Sequence, residues 1–77
     1  MNESINPDLG TIHIIANGQL RIVKVDSTIA DFLQQVNIEP AYVVAQLNGA
    51  IVSRSAFDKT ILEAGCKLEI VTMVGGG

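Results

Sequence analysis

Thr28-Ile29-Ala30-Asp31-Phe32-Leu33-Gln34-Gln35-Val36 is the stretch of this 77-residue chain that decides its fold. Ile29, Phe32, Leu33 and Val36 recur at i, i+3, i+4 and i+7, with Asp31, Gln34 and Gln35 opposite, which is the pattern of an amphipathic helix. Asp26-Ser27-Thr28 is rich in N-cap residues. Thr28 and Asp31 have the spacing of a capping box, in which each side chain satisfies the other residue's free amide. The spacing predicts one helix of about eight to ten residues, ended before Pro40 because the residue preceding a proline is pushed out of the α region.

Upstream, Thr11-Ile12-His13-Ile14-Ile15-Ala16 is rich in β-branched residues, with Ile12 and Ile14 on one face of a strand. Asn17-Gly18 follows, the strongest short hairpin signal, since a type I′ turn needs φ > 0 at both central positions. Gln19-Leu20-Arg21-Ile22-Val23-Lys24-Val25 is the second strand. Its alternation slips between Ile22 and Val23, so either a bulge re-aims the side chains or both faces are partly covered.

Downstream, Tyr42-Val43-Val44-Ala45-Gln46-Leu47 reads as a third strand, Asn48-Gly49 as a second hairpin turn and Ile51-Val52 as a short strand. Ser55-Ala56-Phe57-Asp58 again has capping-box spacing, predicting a single helical turn with Phe57 in the core. Lys67 to Val74 is the final strand, where Leu68 and Ile70 alternate with Lys67 and Glu69. A lone helix must bury its stripe against the sheet, so the expected architecture is α+β: a mixed sheet of four to five strands with the helix packed on one face. Residues 1–10 read as a flexible leader, 11–74 as the folded domain and 75–77 as a flexible tail.

Composition narrows the function. Apolar residues make up 48% and charged residues 17%, which fits one small globule. The net charge is −3 and the five cations, Arg21, Lys24, Arg54, Lys59 and Lys67, are scattered, so neither nucleic acid nor an anionic membrane surface is an expected partner. The single cysteine, Cys66, has no internal disulfide partner. The N-terminus shows neither a basic n-region nor an apolar h-region, and the expectation is a cytoplasmic protein.

Thr72-Met73-Val74-Gly75-Gly76-Gly77 is the stretch expected to do the work. Three consecutive glycines carry a large ordering cost and add nothing to a core. As an extended thread they reach about 10 Å, enough to pass through a narrow opening in another protein, with Gly75 and Gly76 free of side chains. The reactive group is then the α-carboxylate of Gly77, ionised at neutral pH and able to attack an electrophilic phosphorus. Ile70, Val71, Met73 and Val74 cannot all face one side of a strand. Some of them are therefore expected to be exposed just before the tail, and Val71, Met73 and Val74 are the candidate docking residues.

With this element order the chain resembles a ubiquitin-like β-grasp domain and, within that fold, the ThiS family of sulfur carriers of thiamine biosynthesis. Leu47-Asn48-Gly49-Ala50-Ile51-Val52-Ser53-Arg54-Ser55-Ala56-Phe57 is similar to that family's succession of Asn, Val, Arg and an aromatic. Glu63-Ala64-Gly65-Cys66-Lys67-Leu68-Glu69-Ile70 resembles its turn into the last strand, with Cys66 where an acidic residue is often found. Val74-Gly75-Gly76-Gly77 matches its diglycine terminus, and the resemblance covers about residues 11–77. It implies a carrier acted on by partners. A ThiF-type adenylyltransferase uses ATP and Mg to adenylylate Gly77, persulfide sulfur from a cysteine desulfurase system converts it to a thiocarboxylate, and a ThiG-type thiazole synthase accepts the sulfur. The chain itself would bind no cofactor or metal and would catalyse nothing.

Other assignments compete. A MoaD-type carrier for molybdopterin synthesis is the nearest, but the aromatic and proline residues expected before that family's glycines are replaced by Thr72-Met73-Val74. A ubiquitin-like modifier or a plain interaction module shares the fold. Cys66 reads as a packed residue at a turn, and His13 has no second ligand at metal spacing. Asp26 and Asp31 fit capping, and Glu63 and Glu69 a solvated strand edge, better than acid–base pairs.

Overall fold

A computed structural model describes residues 10–73. The leader expected over residues 1–10 falls outside that range except for Gly10, and Val74, Gly75, Gly76 and Gly77 lie outside it. Five strands and one helix follow in order: β1 (Thr11–Ala16), β2 (Gln19–Lys24), α1 (Ile29–Gln35), β3 (Val43–Leu47), β4 (Ala50–Val52) and β5 (Lys67–Thr72). They form one mixed sheet ordered β2-β1-β5-β3-β4, with β1 and β5 parallel and the other pairs antiparallel. The last strand thus lies at the centre. This is the α+β, ubiquitin-like β-grasp arrangement expected from the element order.

The two hairpins form where the sequence places them. Asn17 and Gly18 sit at φ 50° and 80°, and Asn48 and Gly49 at 52° and 88°, the left-handed pair a type I′ turn demands. The slip in β2 is not a bulge, because its register with β1 runs unbroken from Thr11–Lys24 to Ala16–Gln19. Val23 faces the helix and is buried, while Ile22 on the opposite face is 55% exposed. The strand is apolar on both faces, and among the described residues nothing covers the second one.

The start of α1 is tied down completely. Thr28 N–H donates to Asp31 Oδ2 (3.0 Å) and Asp31 N–H to Thr28 Oγ1 (3.1 Å), the expected capping box. Ile29 N–H donates to Thr60 C=O (3.1 Å) and Ala30 N–H to Phe57 C=O (3.0 Å), so all four amides that a helix start leaves free are satisfied. The loop supplying those carbonyls anchors through Phe57 and Leu62, both buried.

The helix is shorter than predicted, seven residues, and Pro40 is not what ends it. Asn37 turns left-handed at φ 60°. Its N–H donates to Gln34 C=O (3.2 Å) and Ile38 N–H to Leu33 C=O (2.9 Å), a Schellman closure that packs Ile38 against the core. Pro40 instead opens a 3-10 turn, Pro40–Tyr42, which takes Tyr42 out of the predicted third strand. The turn expected at Ser55–Asp58 forms one residue earlier, at Arg54–Ala56, without a side-chain cap.

One core fills the space between helix and sheet. Ile14, Ile29, Leu33, Leu62 and Leu68 are essentially fully buried, joined by Val23, Phe32, Val43, Ala45, Phe57, Cys66 and Ile70. No polar or charged residue is buried among the described residues. Burial of apolar surface is therefore the main stabilising term.

Candidate functional site

The residues around the tail begin with β5, because its direction sets where the chain goes after Met73. On one side β5 pairs with β3 from Leu47–Leu68 to Val43–Thr72, and Met73 N–H continues that ladder by donating to Tyr42 C=O (2.6 Å). The regular strand ends at Thr72 rather than at the predicted Val74. On the other side β1 contributes two register pairs, Ile15–Lys67 and Ala16–Leu68, before it turns away.

Two asparagine side chains extend these ladders. Asn48 accepts from Lys67 N–H through Oδ1 (2.9 Å) while its own N–H donates to Lys67 C=O (2.8 Å). Asn17 donates through Nδ2 to Ile70 C=O (3.1 Å) and accepts through Oδ1 from Ile70 N–H (2.7 Å). Sequence reading took Asn17 only as a turn residue, and Asn48 as a turn residue and the first member of a family motif. The missed signal is that an asparagine at the first position of a type I′ turn carries an amide that can pair like main chain.

Alternation sorts the apolar end of β5. Ile70 is buried under the helix, whereas Val71 is 60% and Met73 46% exposed. Val71 pairs with Val44, and on the same open face lie Ile51 (70% exposed), Leu20 (64% exposed) and Ile22. Only Val71 and Val44 lie close to Met73, because the register sets Ile51 level with Glu69 and Leu20 level with Lys67, and Gln46, Glu69 and Lys67 stand between these apolar residues on the open face. Val74, Gly75, Gly76 and Gly77 lie beyond the described residues.

The remaining candidates stay apart. His13 is exposed on β1, and no group of three His, Cys, Asp or Glu side chains suited to a metal occurs among the described residues. Cys66 is buried as a free thiol, and Asp31 is engaged in the helix cap. Glu63 and Glu69 are exposed. Arg54, read only as part of a family motif, donates through Nη2 to Ala41 C=O (3.2 Å) and ties the segment after β4 to the turn before β3.

Comparison with known proteins adds the decisive observation: residues 13–77, through the last glycine, match the ThiS family. The chain belongs to the ThiS family. Its fold is similar to the crystal structure of a thiamine biosynthesis protein (ThiS) from Geobacter metallireducens, with a TM-score of 0.74 and 28% identity over 86% of this chain and 100% of that one. An NMR solution structure of a thiamine biosynthesis protein from Geobacter metallireducens aligns with a TM-score of 0.70 and 28% identity, covering 86% of this chain and 88% of that one. A curated relative, named thiazole synthase, from Paramagnetospirillum magneticum is 30% identical over 64 residues. Those residues are 83% of this ThiS-family chain but 20% of the length of that protein.

Proposed function

We propose that this ThiS-family protein is a sulfur carrier for thiazole formation in thiamine biosynthesis, working in the cytoplasm through the carboxyl group of Gly77. The observation that carries this reading is the family match running through Gly77, on a fold whose central strand ends at Thr72 with Met73 to Gly77 still to come. The name of the thiazole synthase relative supports the choice of acceptor.

The chemistry follows from the carboxylate. It is a poor electrophile until it bears a good leaving group. A ThiF-type adenylyltransferase holds Mg-ATP, the Gly77 carboxylate oxygen attacks the α-phosphorus, and pyrophosphate leaves to give an acyl-adenylate. The terminal sulfur of a persulfide supplied by a cysteine desulfurase system attacks that acyl carbon and AMP leaves. A second thiol then cleaves the resulting S–S bond, forming a disulfide and leaving a thiocarboxylate on Gly77. A ThiG-type thiazole synthase takes the sulfur from it. Glycine at 75, 76 and 77 lets the chain pass close to the partner's walls and leaves the acyl carbon unhindered. Val71, Met73 and Val74 form the docking surface beside the tail. The carrier supplies no acid, base, metal or cofactor.

The test is intact mass after incubation with a ThiF-type adenylyltransferase, Mg-ATP and a persulfide source. Replacement of one oxygen by sulfur on the chain is expected. Attachment of the chain to lysines of other proteins, or no change of mass at all, would overturn the reading in favour of a modifier or an interaction module.

A further inference from the structure

The central strand β5 is held by two asparagines: the Asn17 side chain both donates to and accepts from Ile70, whereas Asn48 accepts from Lys67 through its side chain and donates through its main chain. Asn48 holds Lys67 at the strand's first residue, and Asn17 holds Ile70, three residues before Met73. At Ile70 the ladder from β1 has already run out, since its last register pair is Ala16–Leu68 and the chain then turns at Asn17-Gly18. Asn17 N–H still reaches Leu68 C=O (2.9 Å), and the side-chain amide then offers Ile70 the donor and the acceptor that another strand residue would have offered. The pair is partly buried and borders a cavity of ≈ 240 Å³ whose walls include Phe32, Val36 and Ile38. Removing the amide would leave the β1 side of β5 open to water at that point, close to where the strand ends.

We propose that Asn17 is a positioning residue for activation of the tail, acting through Ile70 to hold the end of β5 as far as Met73 in one place. The proposal rests on the carrier reading above. Asn48, at the first residue of the same strand, is its internal control: its side chain makes one hydrogen bond, accepted from Lys67 N–H, far from the tail's root.

Asn17→Gly removes both side-chain bonds to Ile70 and Asn48→Gly the one accepted from Lys67 N–H, while the main-chain bond from Asn48 stays and glycine keeps the left-handed turn. Both are assayed by ATP–pyrophosphate exchange with a ThiF-type adenylyltransferase, varying the carrier concentration. Misplacement of a reacting group by about 1 Å can cost up to about 100-fold, so Asn17→Gly is expected to lower kcat about tenfold with KM within about twofold, and Asn48→Gly to leave both within about twofold of wild type. Amide exchange by NMR should accelerate at Ile70 in the first variant and at Lys67 in the second. Equal losses of kcat in both variants, or a kcat for Asn17→Gly within about twofold of wild type, overturn the positioning role. Should Asn17→Gly not fold, Asn17→Asp keeps the turn and the acceptor but replaces the donor to Ile70 C=O with a carboxylate oxygen that repels it; an unchanged kcat there overturns it equally. A wild-type chain that supports no exchange overturns the carrier reading and this proposal together, whereas an active wild type matched by its variants overturns this proposal alone.

Discussion

Phe57 is the residue on which two separate demands meet: its ring is buried in the core and its carbonyl receives the Ala30 amide at the start of α1. Truncating a buried phenylalanine removes apolar burial and leaves a cavity, so Phe57→Ala is expected to cost about 3–5 kcal/mol in urea denaturation, a large part of what a domain this small can hold. Thr28→Ala removes one side-chain acceptor from the capping box and strands Asp31 N–H, an expected loss of about 1 kcal/mol by the same measurement. A cost for Thr28→Ala equal to that of Phe57→Ala would mean that the cap does more than satisfy amides. Thr28, Asp31 and Phe57 were legible in the sequence, because N-cap chemistry and a lone aromatic among polar residues act over a few positions. Asn17 and Asn37 were not fully legible. The partners of Asn17 lie fifty-three residues away, and the left-handed turn of Asn37 competes with a helical pattern that continues through Val36.

At the scale of elements, turns and helix could be read because their signals are local, whereas strand faces depend on what lies opposite. The Ile22–Val23 slip is the clearest case: the residues show an apolar pair on two faces, and only the register with β1 says that the strand runs straight and leaves Ile22 outside. The same ambiguity hid the end of β5, where an apolar run from Ile70 to Val74 reads as strand although the regular pairing stops at Thr72. Arg54–Ala56 formed without the cap that its serine suggested, since Ser55 Oγ lies against Ser53 Oγ (3.2 Å) and not against a helix-start amide. The open face of the sheet makes its own prediction. Met73→Glu places a charge among exposed apolar side chains, so calorimetry should show weaker association with a ThiF-type adenylyltransferase while stability shifts by no more than about 0.5 kcal/mol, as is usual for surface changes. Unchanged affinity would remove Met73 from the docking surface.

For the whole molecule, the arrangement places the strand that precedes the glycines at the centre of the sheet, between β1 and β3, under α1. Such a strand loosens only when the core does, which is the firm base that the proposed carrier role needs. The core itself contains no charged or polar side chain among the described residues, and its one thiol, Cys66, is enclosed. On the proposed function, the molecule divides into a globule that holds and docks and a tail that is chemically loaded. The most direct measurement of that division compares the full chain with a chain lacking Gly76 and Gly77, each tested for adenylate and thiocarboxylate formation by intact mass and for thermal unfolding by circular dichroism. The account predicts that the shortened chain unfolds at nearly the same temperature and is never loaded; a shortened chain that still gains sulfur, or one that loses much of its thermal stability, would contradict it.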